Sequence, residues 1–163
     1  MKTNTSLELT VPLDILLTPE NISQERIIDI LKGSNHYYFD DAEIDIETGI
    51  SYNMGGYFIR LALSQSVIQV FTFDRLKNEV SNAELLKLIN MVGANYFMIN
   101  CLVYDERHLK EPQIGVRSHA EIVFRGGISE TALIESIKLF TSEYIAMRAM
   151  YMEQYLYVHD DED

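Results

Sequence analysis

Three groups of side chains in this 163-residue sequence could do chemistry. The first is a run of carboxylates, Asp40, Asp41, Glu43, Asp45 and Glu47, with a second acidic cluster in the tail from Asp160 to Asp163. Carboxylates suggest calcium, yet a calcium loop gathers its ligands around a sharp turn with a central glycine. Here Asp41, Glu43, Asp45 and Glu47 alternate with Ala42, Ile44 and Ile46, the pattern of a strand with one face in water. Such a row keeps the oxygens apart, and no metal site is expected. Acid–base catalysis by carboxylates needs a buried pair with separated pKa values, and these carboxylates fall on water-facing positions.

The second group is Cys101 and the four histidines, His36, His108, His119 and His159. Zinc ordinarily takes cysteines or a close histidine pair, and the sequence has neither. Cys101 sits inside an apolar stretch, where nothing lowers its pKa, so it reads as a core residue. His119 alternates with Arg117 and Glu121 and reads as part of a solvated row. Arg125-Gly126-Gly127-Ile128-Ser129 places glycines and a hydroxyl at a helix start, where an anion could bind. It lacks the lysine and spacing of a phosphate loop, and turn geometry accounts for both glycines. Arg107, His108, Lys110 and Arg117 are interleaved with Glu106 and Glu111, a mixed-charge loop. No cofactor is expected.

The third group lies at the end of the chain. Leu133, Ile137, Phe140, Tyr144, Met147 and Tyr151 recur at alternating spacings of four and three, the apolar stripe of a helix. Ile134, Ala146, Met150 and Met152 widen it, and Tyr155 and Tyr157 follow. Aromatic residues and methionine are enriched at contact surfaces. Tyr144, Met147, Met150, Tyr151 and Tyr155 are therefore the candidate partner-binding residues, with burial inside the chain's own domain as the alternative.

The elements that position these groups follow from local signals. Ser129 caps the closing helix, which is expected to run to Tyr157. Thr18-Pro19-Glu20 reads as the start of a first helix ending near Lys32, with Gly33 as its left-handed stop. His36 to Glu47 reads as one bent or two short strands, and Gly49 to Gly56 as a turn region. Tyr57 to Leu63 and Val67 to Phe73 form a hairpin about Ser64-Gln65-Ser66. The second of these strands is apolar on both sides, Phe71 and Phe73 against Ile68 and Val70. It is expected to be covered by helices on one face and by a neighbouring chain or segment on the other. Ser81-Asn82-Ala83-Glu84 is a capping box opening a second helix with Leu85, Leu88, Ile89 and Val92 inward. Strands follow at Tyr96 to Tyr104 and Val116 to Phe124. Leu7, Leu9 and Val11 form a short edge strand or belong to a mobile arm. The expected fold is α+β: an antiparallel sheet of about five strands in the order α-β-β-β-α-β-β-α, in one domain over residues 1–163. Residues 1–18 form an N-terminal arm and 158–163 an acidic tail.

Composition narrows the function classes. A formal net charge of −12 opposes binding to nucleic acid phosphates or to anionic lipid. One cysteine suits a reducing compartment, Glu8 and Asp14 interrupt any secretory signal, and no apolar run approaches the ~20 residues of a membrane span. A cytoplasmic protein is expected.

The order of elements resembles the YbjN-like family of bacterial proteins, proposed regulators of sensory transduction. The likeness is carried by Leu85-Leu86-Lys87-Leu88-Ile89-Asn90, then Asn95, the strand to Asp105, and the Gly127-Ile128-Ser129 entry to the last helix, over roughly Ser23 to Tyr151. That family looks like the class I type III secretion chaperones in fold, small acidic α+β proteins that dimerise and bind extended segments. The resemblance implies a non-catalytic chaperone-like or regulatory protein that binds a protein or peptide partner as a homodimer. The Asp105–Gly115 loop and the extended, acidic end of the chain depart from the family pattern. The alternative is a small-molecule-sensing regulatory domain, which would require a pocket with converging polar groups.

Overall fold

A computed structural model describes residues 15–106 and 113–156 of the chain. The expected arm at Leu7–Val11, the basic residues Arg107, His108 and Lys110, Tyr157 and the acidic tail lie outside the described residues. The elements run β1 (Leu16–Leu17), α1 (Gln24–Gly33), β2 (Glu43–Asp45), β3 (Gly49–Tyr52), β4 (Tyr57–Ala62), β5 (Val67–Leu76), α2 (Asn82–Asn95), β6 (Asn100–Asp105), β7 (Ile114–Val123), β8 (Ile128–Ser129) and α3 (Glu130–Met147). Beyond α3 the chain makes a π-helical turn over Arg148–Met152 and a 3-10 turn over Glu153–Tyr155. The α+β class, the antiparallel sheet and the long closing helix are as the sequence implied.

The sheet has six strands in the order β2-β3-β4-β5-β7-β6, all antiparallel, and β1 pairs with β8 in a separate two-residue ladder. The additional strand is β3, which occupies part of the segment expected to be a turn. Asp41 makes that strand's exit possible: its carboxylate accepts from the backbone N–H groups of Asn53 and Met54, both in left-handed conformation. Asp45 plays the same part at the β2–β3 turn, accepting from the amides of Glu47 and Thr48 and the Thr48 hydroxyl. The expected burial of Ile44 and Ile46 fails. Only Ala42 is inside, because β2 is the edge strand and the chain turns away after Asp45.

The core lies between one face of the sheet and the helices. Ile50, Ile59, Ile68, Val70, Val116, Ala120 and Ile122 meet Ile27 and Leu31 of α1, Leu85, Leu88 and Val92 of α2, and Leu133, Ile137, Phe140, Tyr144 and Met147 of α3. The capping box of α2 is formed as expected, and Ser129 caps α3 by accepting from the Ala132 amide. The first helix begins later than expected. Ser23 is its N-cap, while Thr18 to Asn21 makes a turn closed by the Asn21 side chain. Its end also differs, since Asn35, not Gly33, takes the left-handed conformation.

The closing helix is not continuous to Tyr157. At Arg148 the backbone widens to a π turn, in which the Glu153 amide donates to the Arg148 carbonyl, five residues back. One residue is thereby inserted into the helical phase. The inward stripe of Leu133, Ile137, Phe140, Tyr144 and Met147 passes next to Met152 and then Leu156, both buried, and not to Tyr151. Leu156 bridges Leu76, and the Lys77 amide donates to the Tyr155 carbonyl at 2.9 Å.

Candidate functional site

The residues expected to form a partner-binding cluster are divided by this geometry. Met147 is 0% exposed and Tyr144 4%, so both are core residues of the chain and have almost no surface to offer. Their side chains fill the space under β5. Tyr151 packs edge-on against Tyr96 at 6.1 Å, and Tyr155 lies partly buried against the same core. Met150, 66% exposed, points outward. The five do not make one contiguous exposed surface, because the π turn rotates the later residues out of line with the earlier ones.

An uncovered apolar surface lies elsewhere, on the face of the sheet that the helices leave open. Strand parity and register place Phe58, Phe71 and Phe73, then Arg117, His119, Leu102 and Tyr104, on that face. Phe71 stacks on Phe58 and meets Phe73 edge-on, each at 5.5 Å, and the Arg117 guanidinium lies 4.2 Å from the Phe71 ring centre. A cation held against a ring face is attracted by its quadrupole. These contacts leave Phe71 with no exposed area although no helix covers it. Phe73, Leu102 and Val123 remain uncovered on the same face, at 47%, 55% and 61% exposure.

The sequence expected a solvated row at Arg117, His119 and Glu121, but the first two are half-buried. Burial, with Arg117 beside it, pushes the His119 imidazole below its ordinary pKa. Arg117 donates to Gln69, which in turn donates to Glu121, while the Arg117 Nε is buried and makes no hydrogen bond among the described residues. The both-sided apolar pattern of β5 was the sequence signal for this face.

A second site was not anticipated. Asp74, 7% exposed, is on the helix-facing side of β5. The Tyr144 hydroxyl donates to its carboxylate, 2.7 Å from either oxygen, and the Arg148 Nε donates to Oδ1 at 3.3 Å. Desolvation raises the Asp74 pKa above the ordinary carboxylate range, against the opposing pull of Tyr144 and Arg148. The same burial, with Asp74 next to it, raises the Tyr144 phenol, and nearby Tyr57 is pushed up to about 12, chiefly by burial. The available signal was parity: Ile68, Val70, Thr72, Asp74 and Leu76 alternate along β5, so a carboxylate falls on the buried side.

The remaining candidates have structural roles. Cys101 is half-buried beside Ser118, its Sγ 3.6 Å from the hydroxyl, and burial raises the thiol pKa. Gly127 has φ of 92°, and a Cβ there would meet the Leu16 side chain, so the turn before α3 requires glycine. Among the described residues, no three His, Cys, Asp or Glu side chains are gathered as a metal ligand set, and no helix is long and apolar enough to cross a membrane.

No family model and no curated protein matches the sequence. Solved structures do match in fold. YbjN, a proposed transcription regulator from E. coli, superimposes with a TM-score of 0.63 at 8% identity, over 84% of this chain and 97% of that one. An uncharacterized protein from Methanothermobacter thermautotrophicus superimposes with a TM-score of 0.52 at 18% identity, over 82% and 99%. The chain has a YbjN-like fold.

Proposed function

We propose that this chain is a distant YbjN-like regulatory protein, without catalytic activity, that binds another polypeptide through the open face of its sheet and does so as a cytoplasmic homodimer. The observation that carries the reading is the open face itself. Three exposed apolar residues lie on it, together with a ring cluster over which the Arg60 and Arg117 side chains lie. Exposed apolar surface of this kind is a common mark of a contact site. Edge strand β6 adds a row of backbone groups beside the same face, where an extended segment could pair. The secretion-chaperone likeness, which came from the family resemblance, would imply binding of an extended segment of this kind.

A regulatory role agrees with YbjN being a proposed transcription regulator. With a net charge of −12 the regulation would act through a protein contact and not through DNA phosphates. The test is affinity capture from the native host with the wild-type chain and with Phe73→Glu/Leu102→Glu, each checked for folding by circular dichroism and for mass by light scattering. The expected result is a dimer and a captured protein for the wild type, with that protein lost from the variant. Recovery of the same protein by both baits would refute the assignment of the face.

A further inference from the structure

Strand β5 outruns its neighbour. The last β4–β5 pair is Phe58 with Phe71, and the chain returns to that edge only where Leu156 bridges Leu76. Between these points no described segment pairs with the β4-side edge of β5. The gap is roofed by the end of α3 and the π turn, and it encloses a cleft of about 380 Å³. That volume is within the roughly 300–1,000 Å³ of small-ligand sites. Tyr57 and Tyr144 supply aromatic lining, Ala149 faces in from the roof, and Asp74 is on the floor.

Asp74 has few donors among the described residues. An ionised carboxylate has about four lone-pair positions, and the donors found for this one are a single hydroxyl proton and one guanidinium N–H. Among the described residues, Oδ2 receives nothing besides the hydroxyl proton it shares with Oδ1. Arg148 reaches the carboxylate through Nε alone, and its side chain is half exposed. With Glu153 also lining the cleft, two acidic groups face one basic group. The chain's net charge of −12 adds a field that draws cations.

We propose that this cleft binds a small organic cation: an ammonium or guanidinium group on a short apolar body, its charged end on Asp74 and its body against the aromatic lining. The carboxylate gains a charged donor beside Tyr144 and Arg148, and the rings add cation–π attraction. The site is separate from the open sheet face, so it does not depend on the polypeptide-binding reading. It gives the small-molecule alternative from the sequence a defined place and chemistry.

The test is isothermal titration of the full chain with 2-phenylethylamine, putrescine and agmatine, with 2-phenylethanol as the uncharged control. The amines are expected to bind, and the alcohol about tenfold more weakly or not at all. Asp74→Asn should weaken amine binding by about tenfold or more, the loss of one charge-assisted hydrogen bond. Ala149→Phe should do the same by filling the cleft from an exposed position, which keeps the result readable if the Asp74 variant is poorly folded. Arg148→Gln should tighten binding, because it removes a like charge. A blocked arginine tripeptide that binds more tightly than agmatine would identify a partner's side chain as the source of the cation. Agmatine binding at least as tightly would identify a free amine, and the cation site stands either way. No binding of any amine up to roughly 10 mM, unchanged affinity in both Asp74→Asn and Ala149→Phe, or weaker binding in Arg148→Gln would overturn the proposal.

Discussion

Replacing Tyr144 with Phe tests the link between the closing helix and the sheet. The ring is retained, so its packing against Phe140 and Tyr57 is unchanged and no cavity forms. What is lost is the hydroxyl that donates to both oxygens of Asp74 at 2.7 Å. Hydrogen bonds to charged groups contribute about 1.5–3 kcal/mol, and a buried acceptor left short of donors loses more than the bond itself. Asp74 is 7% exposed, so water cannot fully replace the donor, and among the described residues Arg148 at 3.3 Å is the one that remains. The expected cost at pH 7 is about 2–3 kcal/mol, read as a lower urea midpoint at constant m-value. For a chain of this size it corresponds to a Tm lower by about 5–10 °C. The cost should shrink as the pH falls, because a protonated Asp74 no longer needs a donor for a buried charge. A double-mutant cycle with Asp74→Asn should give a coupling of about 1.5 kcal/mol or more. A Tyr144→Phe variant within about 0.5 kcal/mol of wild type at pH 7 would refute the claim that this pair secures the helix end.

Other expected outcomes follow from burial and close approach. Met147→Ala should cost about 2–5 kcal/mol in urea unfolding, whereas Met150→Ala, at 66% exposed, should stay within about 0.5 kcal/mol; equal effects would contradict the inward phase of α3. Gly115→Ala would drive a Cβ into the Tyr104 ring and to 2.5 Å from the Asp74 carbonyl oxygen, and should cost at least about 1–3 kcal/mol. Gly93→Ala, in the last turn of α2 with nothing within 4 Å, should gain about 0.4–1 kcal/mol, and calorimetry would separate the pair. The pH dependence of Asp74 has a definite sign. Its folded pKa is raised, so the folded state holds the proton longer, and this group's contribution is full below the ordinary carboxylate pKa and is lost as pH rises through the raised one. Asp45 and Glu84, lowered by their hydroxyl and amide partners, slope the other way. The difference in urea midpoint between Asp74→Asn and wild type cancels those groups, and it should move in favour of the variant as pH rises from about 4 to 7.

Much of the fold was legible because local chemistry and tertiary packing agree. Ser81 and Glu84 satisfy each other as a capping box wherever the helix packs, and the stripe from Leu133 to Met147 has one phase that buries it. The β4–β5 hairpin was likewise fixed by alternation and a short connection. What escaped was decided at a distance. Strand β3 is four residues between two turns, and its exit turn is held by Asp41, twelve residues before Asn53. The first helix starts at Ser23 because the Asn21 side chain closes a turn on Thr18, making a capping pattern at Thr18-Pro19 a turn instead. The open-face rings were visible as a both-sided strand, but the shielding of Phe71 needs Arg117 from a strand 46 residues later (117 − 71).

The π turn explains why the apolar circumference of the last helix misled. A regular helix would carry the stripe from Met147 to Tyr151 and Tyr155, and would bury two phenol groups. A buried hydroxyl requires a partner, and the position under β5 that could provide one, Asp74, is already taken by Tyr144. Inserting one residue exchanges that pair for Met152 and Leu156, which need none and are both buried. The same shift leaves Tyr151 and Tyr155 at the boundary, where their hydroxyls can reach water. It also aims Arg148 at Asp74 and lets the chain return to β5 at Leu76, leaving the cleft open between the bridge and β4. The surplus apolar surface, the broken helix and the unanticipated cleft therefore have one cause: a polar requirement at the end of α3 that sequence periodicity does not encode.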